Sequence, residues 1–168
     1  MTLKTSDSTT QVNTPSLYDT DFLLWIDATA ALLKNRRFDN LDLDNLIEEI
    51  ESLGRSDKRA VLSYLARLCE HLLKIKYWEA ERQQCLRGWS IEVNNFRREI
   101  HRLLKDSPSL INHLLENFQA EYHDARDNVL IASDIAPNLI PEEPFFSLDQ
   151  ALGKDWIPLA SSLDLDEG

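Results

Sequence analysis

Three stretches of this chain carry apolar residues at alternating steps of four and three. Val61, Leu65, Leu68, Leu72 and Ile75 form the first, and Trp89, Val93, Phe96, Ile100 and Leu103 the second. Ile111, Leu115, Phe118, Tyr122, Ala125, Val129 and Ala132 form the third. Such spacing gathers each set on one face of an α-helix, and in water that face would stay solvated unless another covered it. The stripes therefore have to bury one another. This restricts the chain to an all-α fold, an antiparallel helical bundle of about five helices. The presence of only 4 glycines among 168 residues points the same way, away from a turn-rich sandwich or barrel.

Caps and breakers set the expected limits. A first helix over 19–34 opens on Asp19, with Tyr18 packing onto Leu23 and with Phe22, Trp25, Ile26, Thr29, Leu32 and Leu33 as its buried face. A second opens at Asp42 or Asp44 and closes on Gly54, read as a left-handed C-cap. Ser56 then offers a cap for a third helix over 57–78, and an exposed connection over 79–88 leads to a fourth over 89–105. Ser107 and Pro108 begin a fifth helix reaching 133, expected to be the longest uninterrupted one.

Pro137, Pro141 and Pro144 forbid regular helix beyond that point. The C-terminal segment is therefore expected to wrap irregularly over the bundle, anchored by Phe145, Phe146, Trp156, Ile157 and Leu159. A short helical turn opened by Ser147 with Gln150 and closed by Gly153 interrupts it. A chain of this length supports one core, so a single helical domain is expected over 16–160. An aperiodic tail precedes it at 1–15 and an acidic frayed end follows at 161–168.

The net charge of −11 is unevenly spread. Residues 1–54 carry 4 basic and 10 acidic side chains, 55–105 carry 12 and 6, and 106–168 carry 2 and 13. A basic centre between acidic flanks suits internal neutralisation better than nucleic acid, which an acidic surface repels. Cys69 and Cys85, expected on a helix stripe and in a loop, form no secreted disulfide pattern, and no apolar run follows Met1. A cytoplasmic protein with neither leader nor membrane span is the expectation.

Several segments also carry a family resemblance. Tyr18-Asp19-Thr20-Asp21-Phe22 with Trp25, the block from Leu46 to Asp57 containing Glu-Glu-Ile-Glu-Ser-Leu-Gly-Arg-Ser, and His71-Leu72-Leu73-Lys74 belong to it. So do Arg87-Gly88-Trp89 and Phe146-Ser147-Leu148-Asp149-Gln150. Together they resemble an uncharacterised bacterial family, abundant in cyanobacteria and filed as domain of unknown function 29. The resemblance implies a compact all-helical domain and brings no reaction, cofactor or site residue with it.

Chemistry has to be sought in the residues themselves. Helix bundles hold paired metals with Glu-x-x-His on facing helices, and none of the four histidines has a glutamate three residues before it. Glu48 and Glu51, one turn apart, could still meet His71 from the next helix at a mononuclear metal site; a solvated acidic face and a boundary histidine are the plainer reading. Arg67 with His71 and Arg97 with His101 come closer together than in the small helical RNases of bacterial toxin systems, where four to six residues intervene. Phosphate cradles, nucleophile elbows and Cys-x-x-Cys are absent from the sequence, and no cofactor is expected. Arg82, Arg87, Arg97 and Arg98 interleave with Trp78 and Trp89, the pattern of a single-stranded nucleic-acid platform, although the tryptophans also fit the core. A non-enzymatic module that binds another protein or its own copy is the favoured reading. A nucleic-acid-associated protein and a metal-dependent or phosphodiesterase-like enzyme are the alternatives.

Overall fold

A computed structural model describes residues 16–158. The expected tail at 1–15, the frayed end at 161–168 and the anchor Leu159 lie outside the described residues. Within them there is no strand, and six helices follow in order: α1 (Leu17–Thr20), α2 (Phe22–Lys34), α3 (Leu43–Tyr77), α4 (Glu79–Asp106), α5 (Leu110–Ala132) and α6 (Leu148–Leu152). Short 3-10 turns lie at Phe38–Asn40 and Pro137–Leu139. The all-α bundle is as expected. The chain forms two compact units, divided between Leu53 and Gly54.

The N-terminal unit holds α1, α2 and the first three turns of α3. One helix was expected from Asp19, and two form. Ser16 and Asp19 make a reciprocal capping box for α1, which commits the Asp19 carboxylate there, while Asp21 caps α2 by accepting from the Leu24 N–H at 3.0 Å. Tyr18 packs edge-on against Phe22 and Trp25 rather than onto Leu23. At the end of α2 the Arg37 N–H returns to the Leu32 carbonyl at 2.9 Å, with Arg36 in the left-handed region at φ 56°. This is a Schellman closure carrying a side chain where glycine is favoured.

Gly54 and Ser56 do not divide α3, which is continuous for 35 residues and longer than the 23-residue α5. A mid-helix glycine costs about 1 kcal/mol relative to alanine. The Leu-, Glu- and Arg-rich turns on either side outweigh that cost. The expected connection over 79–88 is likewise helical: Glu79 and Glu81 favour the N-terminal end of the α4 dipole, and Leu86 and Trp89 already pack against the core. Cys85 accordingly lies on a helix and not in a loop.

The core of the second unit is built from the three stripes. Val61, Leu65, Leu68, Leu72 and Ile75 are fully buried, as are Val93 and Ile100, and Trp89 and Phe96 pack from the margin. In α5 the stripe begins one residue earlier than expected: Leu110 and Leu114 are buried, while Leu115 is 58% exposed. The buried set 110, 114, 122, 125 and 129 keeps to one side of a straight helix, from which a strict heptad drifts by about 20° per repeat. Ser107 ends α4 instead of capping α5, whose cap position is Ser109.

From Ser133 the chain crosses the bundle as an irregular strap. Its carbonyls lack helical partners and draw donors from the helices beneath. The Tyr122 hydroxyl donates to Pro141 at 3.0 Å, and Arg126 donates to Ile140 and Pro137 at 3.0 and 2.8 Å. Phe146 is buried among Phe118, Tyr122, Phe145 and Trp156. Ser147 and Gln150 form the expected capping box of α6, which ends at Gly153.

Candidate functional site

The residues singled out as metal ligands do not converge. Glu48, Glu51 and His71 share α3, because the helix expected to end at Gly54 continues, and His71 lies 20 residues beyond Glu51 on that helix instead of facing it from another. Among the described residues, no three His, Cys, Asp or Glu side chains gather where they could hold a metal ion. His71 sits against the Phe96 ring, and its Nδ1 lies 2.9 Å from the Arg67 carbonyl, which fixes the proton on that nitrogen. Burial holds its pKa below the ordinary histidine value, against the opposing pull of that hydrogen bond. This is the boundary histidine anticipated from its stripe.

The four arginines separate in the same way. Arg87 and Arg98 are exposed. Arg82 turns inward to donate from Nη2 to the Lys76 carbonyl, and its Nε is buried without a partner. Arg97 is only 2% exposed. Its Nε donates to Ala151 at 2.7 Å, Nη1 to Lys154 at 3.3 Å and Nη2 to Trp156 at 2.6 Å, so it fastens the strap. Sequence spacing put Arg97 on a surface platform; the strap, arriving from more than fifty residues away, covers it. The Trp78 and Trp89 rings lie 6.0 Å apart, and Trp89 packs against the core.

An apolar concave surface lies within the N-terminal unit. Phe22, Trp25, Ile26, Thr29, Ala30 and Leu33 of α2, with Leu46, Glu49, Ile50 and Leu53 of α3, line a cavity of about 400 Å³. The expected buried face of α2 is buried only at Trp25 and Thr29; Phe22, Ile26 and Leu33 are 41–42% exposed. On α3, Ile50 and Leu53 are 60% and 69% exposed. Trp25 presses its ring against Phe22 and Tyr18, and its Nε1–H is buried without an acceptor. At the rim the Tyr18 hydroxyl donates to Glu49 Oε1 at 2.6 Å; that bond, with partial burial and the Glu49 charge, pushes the phenol up to about 12. Periodicity had identified these positions as apolar without showing that α2 and α3 would leave a cleft between them.

No helix among the described residues is long and apolar enough to cross a membrane. No curated protein and no solved structure matches the chain. The family model described as "Domain of unknown function DUF29" matches residues 17–157, through both units and most of the strap, and the chain belongs to that family.

Proposed function

We propose that this protein is a non-enzymatic, cytoplasmic interaction module of bacteria whose N-terminal cleft receives an amphipathic helix from another protein, a helix with a basic rim. The observation that carries the reading is the cleft itself, in which Phe22, Ile26, Leu33, Ile50 and Leu53 stand exposed on two adjoining helices. Clefts of this kind take up apolar residues at helical spacing. Charge selects the occupant. Residues 16–53 carry 9 acidic and 3 basic side chains, so a second copy would bring like charge against like, whereas a basic helix is attracted. The free thiols Cys69 and Cys85 accord with a reducing compartment.

The test is a photo-crosslinking residue at Leu53 in the native host, followed by binding of the captured protein to purified wild type and to the Ile50→Glu/Leu53→Glu double variant. Direct binding through a basic amphipathic segment, weakened at least about tenfold by the variant, supports the reading. Equal binding to both proteins overturns it. A wild-type dimer that the double variant dissociates overturns it in favour of self-association, and loss of all recovered partners on nuclease treatment overturns it in favour of nucleic acid.

A further inference from the structure

A second cavity, of about 600 Å³, lies in the C-terminal unit and is lined by basic and polar residues. Asn94, Arg97, Arg98 and His101 of α4 line it together with Lys154 of the strap. Positions 94, 97, 98 and 101 share one helix face, since steps of three and four return to the same side. All five lining side chains are polar or basic, three of them are arginine or lysine, and no carboxylate is among them. In a chain of net charge −11 such a pocket runs against the prevailing field.

Arg97 makes the pocket specific. Its three bonds to strap carbonyls use three of five N–H groups, leaving one hydrogen on each Nη. These acceptors are neutral, and among the described residues no carboxylate forms an ion pair with it; Asp155 favours its charge only from longer range. A buried guanidinium held this way is satisfied in hydrogen bonds but not in charge, and a bound anion supplies what is missing. The same bonds fix the group. Lys154 gives its own carbonyl to Arg97, which ties the backbone of one cationic residue to the other. His101 Nε2 lies 3.1 Å from the Leu152 carbonyl, so the ring is held as well. Arg98 is exposed, and its Nη2 donates to Asn95 Oδ1 at 2.8 Å.

We infer that this cavity binds the phosphoryl dianion, as free phosphate or as the terminal phosphate of a small ester, between the Arg97–Arg98 pair of α4 and Lys154 of the strap. A tetrahedral oxyanion carrying two charges matches two guanidinium groups and an ammonium lining one cavity better than a carboxylate does. Nucleic acid is the poorer fit, because the cationic groups surround one local cavity, while a strand calls for a groove that follows its backbone.

Full-length protein is titrated with inorganic phosphate, with glycerol 3-phosphate and with a short oligothymidylate, using chloride at matched ionic strength as the control. Amide chemical shifts of α4 and the strap are followed, together with thermal stability. Phosphate or the ester should bind with a dissociation constant at or below about 1 mM, raise the unfolding temperature and shift the amides around His101 and Lys154. The Arg98→Ala/Lys154→Ala variant alters exposed side chains only and should weaken binding at least about tenfold, the loss expected for one charge-assisted hydrogen bond. Binding of phosphate but not the ester assigns the site to the free anion, and tighter binding of the ester assigns it to phosphomonoesters. Shifts no larger than with chloride, unchanged affinity in the variant, or preference for the oligonucleotide would each overturn the inference.

Discussion

Arg97 Nη2 donates to the Trp156 carbonyl at 2.6 Å across 59 residues of sequence. A side chain in α4 thereby holds the last part of the strap, and burying its charge is tolerable only because three carbonyls meet it. Arg97→Ala should lose about 3 kcal/mol or more, since it removes charged donors and strands buried acceptors at once. Arg97→Lys should recover little of this, because an ammonium cannot reproduce the fork. Urea unfolding measures the loss, and hydrogen exchange should show the amides of 148–157 deprotected before those of α3 in both variants.

Tyr122→Phe isolates a single strap bond. The ring is fully buried against Phe146 and its hydroxyl reaches the Pro141 carbonyl at 3.0 Å. The variant keeps the packing and should cost about 1 kcal/mol in chemical denaturation. A neutral result would show that the Pro141 carbonyl finds another donor.

Backbone fit can be improved at three positions. A Cβ at Gly54 or Gly88 would meet nothing within 4 Å, and neither glycine has positive φ, so Gly54→Ala and Gly88→Ala should each stabilise by about 0.5–1 kcal/mol. Arg36→Gly should also raise the melting temperature, by relieving the left-handed closure of α2. A fall in stability for Gly54→Ala would mean that α3 depends on flexibility there.

His71 sets a pH dependence. Its folded pKa lies below the ordinary histidine value of about 6.5 because burial disfavours the imidazolium. The unfolded chain therefore binds the proton first on acidification. Stability from this group is complete above about pH 6.5, declines as the pH falls below it, and levels off beneath the folded pKa. His71→Gln should flatten that part of the stability profile, and an NMR titration should find the wild-type ring still neutral where exposed histidines are protonated.

Glu70 acts at lower pH. Burial alone would raise its pKa, but the hydrogen bond from Lys74 at 2.6 Å, the Lys74 charge and Arg67 outweigh burial and hold it below the ordinary glutamate value. With the folded pKa depressed, its contribution is present above about pH 4.5 and lost as the pH falls through the folded value. Glu70→Gln should destabilise at neutral pH by about 1–3 kcal/mol and approach wild type in acid.

The sequence by itself determined the all-α class, the core face of α3, most of that of α4, and the capping box of α6. Each depends on residues within a turn or two of one another, where periodicity and cap chemistry act directly. Helix limits were less legible. Gly54 and the 79–88 stretch read as interruptions, yet a penalty near 1 kcal/mol per glycine is smaller than the propensity and packing of the flanking turns. Only the tertiary structure decided which polar residues serve the surface and which the interior. Arg97 and Arg98 are adjacent in sequence, but the strap crosses one and leaves the other in water. Likewise, the apolar stripe of α2 showed which residues favour burial without fixing which of them would be covered, because burial is a property of the elements that meet across space.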